Sequence, residues 1–175
     1  MGFAYKITDQ QGIHFVTATV EQWVDVFTRK DYSDIVLGSL KHCQENKGLC
    51  IYAWVIMSNH LHMIVSCRQG FELSNALRDF KKFTSKKIVA AIENNPHESR
   101  KKWMLWLLKT KEEIAFWQPG SHPEEIRTAD FFNQKMKYIH QNPVRAGIVE
   151  LEEEYLLSSA RDFYGRRGLL ELTYL

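Results

Sequence analysis

IYAWVIMSNHLHMIVSC, residues 51–67, carries two runs of β-branched and aromatic residues on either side of Ser58-Asn59. Such residues favour a pleated strand, and two turn formers between them join antiparallel neighbours, so the stretch predicts a buried hairpin. Its second strand opens with His60-Leu61-His62. Side chains alternate along a strand, which sends both imidazoles to one face and Leu61 to the other. Two nitrogen donors on one face suit a metal ion, although a strand-start histidine is more often simply hydrogen-bonded or exposed. Two imidazoles also leave a coordination shell incomplete, so a third donor has to come from elsewhere in the chain. At the start of a strand they are expected to add little to the core.

Working outward from the hairpin, HFVTATV at 14–20 reads as a first strand and Asp34 to Glu45 as a helix, closed by Asn46-Lys47-Gly48. After the hairpin comes a long helix from Glu72 to Glu93, with Leu73, Leu77, Phe80, Thr84, Ile88 and Ala91 on one side. A short strand is predicted at IAFWQ, residues 114–118, followed by the loop PGSHPEE. A last helix is predicted from Ala129 to Asn142, stopped by Pro143. This order predicts an α+β fold of ferredoxin-like type, with a central antiparallel sheet and helices on one side, forming a single domain over residues 1–175.

The 175 residues are 45% apolar and 25% charged, the composition of an ordinary globular protein. A net charge of +2 neither demands nor excludes a nucleic-acid partner. Three cysteines without a close pair, Cys43, Cys50 and Cys67, argue against a disulfide framework or a cysteine-rich zinc site and point to a reducing cytoplasm. No apolar run approaches a membrane span, the N-terminal stretch lacks a signal-peptide core, and Gly2 is not followed by Ser or Thr at position 6, so no membrane partner is expected.

The segment FFNQKMKYIHQNPVRAG, residues 131–147, offers the missing donor. Wound as a helix, Phe132, Met136 and Ile139 form the inward face, while Tyr138 and Asn142 lie one turn apart on a second face shared with Gln134 and Lys135. That pair would place a nucleophilic phenol beside an amide oxygen; alternatively Asn142 caps the helix and Tyr138 covers the sheet edge.

SNHLHMIV resembles the histidine-hydrophobic-histidine motif of the HUH nucleases, and YIHQNPVRAGIV resembles the nucleophile helix of single-tyrosine transposases. Together with LRDFKKFTSKK, FWQ followed by HP, and the late SSARD, they are similar to the REP-associated tyrosine transposases over nearly the whole chain. The resemblance implies a ferredoxin-like catalytic domain in which His60 and His62 are metal ligands, Tyr138 is the nucleophile and Asn142 is the third ligand. In related insertion-sequence enzymes a glutamine fills the last role, which makes Gln141 its rival. The implied cofactor is Mg²⁺ or Mn²⁺, and the implied reaction is cleavage and transfer of single-stranded DNA at hairpin sites through a 5′-phosphotyrosine, by a monomer or homodimer in the bacterial cytoplasm at the nucleoid. A cation such as Lys135 would favour the phenolate.

Arg78, Lys82 and Lys86, spaced i, i+4, i+8, form a basic stripe clear of the apolar face and followed by Arg100, Lys101 and Lys102, which suits phosphates as well as it suits solvent. Trp103, Trp106, Phe116 and Trp117 are candidates for stacking unpaired bases or for the core, and Arg166 and Arg167 could add charge. Two other functions fit the same residues: a hairpin-binding protein without turnover, and a metal-independent ribonuclease using His60 or His62 with Tyr138 as acid and base.

Overall fold

The computed structural model describes residues 6–109, 113–120 and 122–175. Residues 1–5, where the start of the N-terminal stretch and Gly2 fall, and Ser121 of the PGSHPEE loop lie outside them.

The hairpin forms as its sequence demands: strand β2 (Leu49–Ile56) pairs antiparallel with β3 (His60–Cys67). A bulge between Ile51 and Ala53 shifts the register, so that these two residues, which would otherwise share a face, enter opposite cores. Strand β1 (His14–Thr19) pairs with the other side of β3 and opposes His60 with Thr19 and His62 with Thr17. A two-residue edge strand, β4 (Glu124–Glu125), completes the order β2-β3-β1-β4.

Alternation along these strands builds two cores. Val16, Ala18, Leu61, Met63 and Val65 pack against helices α1 (Lys30–Asn46) and α2 (Leu73–Asn94). Phe15, Val55 and Ile64 face the opposite way, where helix α4 (Ala129–Arg145) buries Ile139 against them. The expectation of helices on one side is therefore corrected: a strand set apolar on both faces must be covered on both. Between α2 and α4 lies a short helix absent from the sequence reading, α3 (Lys101–Leu108), which buries Met104 and Leu108 one turn apart. The outer edge of β2 is closed by the C-terminal segment, where the backbone N–H of Ser159 donates to Trp54, that of Ile56 to Leu157, and that of Thr173 to Ile51.

Three element limits differ from expectation. The strand predicted at 114–118 makes only isolated bridges, Ile114 to Lys109 and Trp117 to Val20, and the sheet pairing resumes at Glu124. Helix α1 starts four residues early because Tyr32 and Arg29 both reach the buried carboxylate of Glu98, at 3.3 and 2.7 Å. Helix α4 starts at the expected place, where the Thr128 side chain accepts from the Phe131 N–H, but it runs through Pro143 to Arg145. Its true stop is Gly147, at φ +71°, whose N–H donates to Val144 O while Ile148 N–H donates to Pro143 O. Those two bonds satisfy the last carbonyls of the helix around a left-handed residue, a stronger terminator than a proline near the end. A Cβ at Gly147 would meet nothing within 4 Å, so Gly147→Ala should cost only the left-handed backbone penalty. A loss of about 1 kcal/mol is expected in urea unfolding, with the native signal unchanged.

Candidate active site

His60 and His62 project from β3 on the α4 side, their rings 4.7 Å apart. Asn59 fixes the first of them. Its Nδ2 donates to Trp23 O (3.2 Å) and to Asp25 Oδ1 (3.1 Å), so its Oδ1 faces Nδ1 of His60 at 2.8 Å. An amide oxygen only accepts, which puts the His60 proton on Nδ1 and leaves a lone pair on Nε2. His62 meets Thr17 Oγ1 through its own Nδ1 at 2.8 Å. Neither Nε2 has a hydrogen-bond partner among the described residues. Burial lowers the pKa of both rings; for His62 the drop is to about 3, with the charges of His60 and Lys135 adding to it. Two neutral imidazoles with oriented Nδ1 groups and unclaimed Nε2 atoms are a donor set that fits a divalent ion.

His62 is not the peripheral residue expected of a strand-start imidazole. It is buried, stacked on Phe15 (5.4 Å, 22°) and met edge-on by Tyr138 at 5.2 Å. Tyr138 is brought there by α4, whose inward residues Phe132, Met136 and Ile139 join the core as their spacing predicts. The phenol ring stays 37% exposed and its hydroxyl makes no hydrogen bond among the described residues. Phe15, Thr17, His62, Glu124, Lys135 and Tyr138 line a common cleft of about 680 Å³.

Lys135 enters this cleft but is not a lone cation: its Nζ bonds Glu124 Oε1 at 3.0 Å and lies 4.2 Å from the Phe15 ring centre. The cation over Tyr138 itself is Arg145, with Cζ 5.4 Å from the ring centre. Sequence reasoning misses it because Pro143 reads as the helix stop; seven residues on, Arg145 shares the Tyr138 face only if the helix continues. Asn142 is three residues inside the helix, so it is not a cap. Its backbone oxygen accepts from Ala146, while its side chain, like that of Gln141, is half-buried and makes no hydrogen bond among the described residues.

The basic stripe lies elsewhere. Helix α2 packs on the sheet face opposite the histidines, and Arg78 is engaged by Asn75 and Asp79 at 2.9 Å. Lys82 and Lys86 are exposed, and Lys82 borders a shallow hollow with Gln118. Gln118 also lines a second hollow with Thr17 and Glu124, both residues of the cleft that holds His62 and Tyr138. Of the four candidate stacking aromatics, Phe116 and Trp117 are buried and Trp103 and Trp106 exposed.

The histidine of α4, His140, is structural. Its Nε2 meets Ser159 Oγ at 2.8 Å, and Ser159 bonds the Trp54 backbone, tying the C-terminal segment to β2. Burial drops its pKa to about 4. The unfolded chain takes up a proton on this ring below about pH 6.5 and the folded chain only near 4, so its contribution is complete above 6.5 and is lost as pH falls through that window. The loss is on the order of 3 kcal/mol by pH 4. Urea midpoints measured from pH 8 to 4 should fall below 6.5, with a shallower fall in His140→Gln.

The profile of the IS200-like transposase family matches residues 8–142. No curated protein matches the sequence. Among solved structures, a REP-associated tyrosine transposase bound to a REP hairpin superposes with a TM-score of 0.71 at 18% identity, covering 100% of this chain and 95% of that one. A candidate transposase of Deinococcus radiodurans R1 gives 0.48 at 16% identity, over 79% of this chain and 92% of its own.

Proposed function

Because the chain belongs to the IS200-like transposase family, we propose that it cleaves and rejoins single-stranded DNA at hairpin sites through a covalent bond to Tyr138, with residues 1–175 acting as one catalytic domain. The observation that carries this reading is the meeting of His62 and Tyr138, from elements 76 positions apart in the chain, at 5.2 Å in one open cleft. The hairpin partner is argued from the structural relative, which was solved with one bound.

In this reading Tyr138 Oη attacks the scissile phosphorus, the bond from phosphorus to the 3′ oxygen breaks, and that oxygen leaves as a 3′-OH. The 5′-phosphate remains on the tyrosine, and a second 3′-OH reverses the step to restore the phenol. His60 and His62, through Nε2, and Asn142, through its amide oxygen, would hold Mg²⁺ or Mn²⁺, which supplies Lewis-acid polarisation of the phosphate when bound. Asn59 keeps the Nε2 lone pair of His60 turned toward that position, and Thr17 holds the His62 ring by its Nδ1. Arg145 steadies the Tyr138 ring and sets a positive charge beside the attacked phosphate, while Lys135, neutralised in part by Glu124, contributes less. A ribonuclease using His62 as general acid is disfavoured, because burial lowers the pKa of this ring and opposes the imidazolium form such an acid needs.

Intact mass after incubation with a panel of single-stranded hairpins tests the proposal. A gain equal to a DNA fragment, abolished by EDTA and restored by Mn²⁺, is the expected result. Hairpin binding without any adduct would make the protein a binding module, and nucleic-acid cleavage indifferent to EDTA would make it a ribonuclease.

A further inference from the structure

Gln22 (φ 52°, ψ 22°) and Trp23 (φ 54°) are consecutive left-handed residues, and the only non-glycine ones among the described residues. Side chains with a Cβ avoid that region, so a pair of them persists only where the surroundings hold it. Here the hold is visible: Trp23 N–H donates to Val20 O (3.0 Å), Asn59 Nδ2 donates to Trp23 O (3.2 Å), and Ser58 Oγ and Asn59 Nδ2 both bond Asp25. The two strained residues themselves stay out of the core, which the flanking Val20 and Val24 enter. Trp54 and Trp117 are buried, but the Trp23 indole is 61% exposed and stands edge-on to His60, ring centres 6.5 Å apart at 73°.

The same Asn59 amide that clamps Trp23 also fixes the tautomer of His60 through its oxygen. One side chain thereby sets the distance between an exposed indole and a candidate metal ligand. Helix α3, which bears the exposed Trp103 and Trp106 and the basic Lys101 and Lys102, packs against this turn.

We infer that Trp23 is a stacking platform for an unpaired nucleobase beside the scissile phosphate, an assignment that rests on the single-stranded DNA reading above. A free indole face accepts any base, because every base has a π-face, and a phosphate held at the histidines would bring its own flanking base to the Trp23 side of His60. The platform positions the strand and takes no part in bond making.

Hairpin oligonucleotides with unpaired tails, carrying 2-aminopurine at each tail position in turn, test the assignment in EDTA, where the strand stays intact. Binding of the parent protein should quench 2-aminopurine at a particular tail position through stacking. Trp23→Ala should lose that quenching and weaken binding roughly 5- to 100-fold, while Trp23→Phe keeps part of both. Trp23→Gly separates this from a packing role: glycine relieves the left-handed strain, so the Tm should hold or rise while quenching is lost. Quenching that survives in Trp23→Ala, or a Tm several degrees lower in both Trp23→Gly and Trp23→Phe, overturns the platform alone. A parent protein that binds no tailed hairpin overturns the DNA reading, and the platform with it.

Discussion

Tyr138→Phe is expected to bind hairpin DNA and metal like the parent protein and to form no covalent adduct on any hairpin. The substitution removes one oxygen. Its hydroxyl makes no hydrogen bond among the described residues, so none is lost on replacement, and the ring keeps its edge contacts with His62 (5.2 Å) and Phe15 (6.0 Å) and its place under Arg145. The Tm should stay within about a degree, since a surface-facing change of this kind is worth no more than about 0.5 kcal/mol. Loss of adduct is then loss of a reactant rather than of a fold. Tyr155 and Tyr164 are the nearest alternatives along the helix and segment that follow, and both are compromised. Tyr155 donates its hydroxyl to Ile56 O at 2.8 Å and burial raises its pKa. Tyr164 donates to Glu152 at 3.1 Å, and that hydrogen bond to a carboxylate raises its pKa as well. A phenol held in its protonated form is a poor nucleophile. An adduct that persists in Tyr138→Phe and maps to either of them would remove Tyr138 from the reaction.

The parts of this molecule legible in its sequence are those set by local pattern. The hairpin was readable because strand propensity and a two-residue turn lie within seventeen positions, and the alternation that put His60 and His62 on one face needs nothing beyond β3 itself. The inward face of α4 followed from spacing in the same way. What escaped depends on partners far along the chain. The first turn of α1 exists because Tyr32 and Arg29 reach Glu98, more than sixty residues away, and no capping signal marks it. Strand β4 is two glutamates, a pair that no propensity would place in a sheet, and with it went the ion pair that occupies Lys135. Pro143 marks a helix stop in the sequence, whereas the helix continues past it to Arg145 and ends only at the left-handed Gly147. The Trp23 turn could not be read at all, since its conformation is imposed by Asn59 and Asp25 across a fold not yet formed.

His60→Ala is expected to reduce Mn²⁺ affinity by more than about 100-fold in calorimetric titration, a loss at least as large as that seen when groups behind a ligand are removed. Hairpin binding should largely survive, because the ring is half-buried and touches Trp23 only by its edge. His62→Ala should lose metal equally but carry a second cost. Removing a buried ring stacked on Phe15 leaves a cavity and strips Thr17 of its partner, about 2–4 kcal/mol together. A lower Tm in His62→Ala and an unchanged one in His60→Ala is therefore the pattern of two ligands in different surroundings, and parent-like Mn²⁺ affinity in His60→Ala would take the pair out of the site. Asn142→Ala separates the third donor from its neighbour. With the nucleophile and both imidazoles in place, adduct formation should slow and recover at high Mn²⁺, as for one weakened ligand among three. Gln141→Ala is the control, turned about 100° away on the same helix. Neither amide is committed to a hydrogen bond among the described residues, so the fold does not prejudge the result. A metal-rescued defect in Gln141→Ala with normal behaviour in Asn142→Ala would move the third ligand by one residue and bring the site to the glutamine arrangement of the insertion-sequence enzymes.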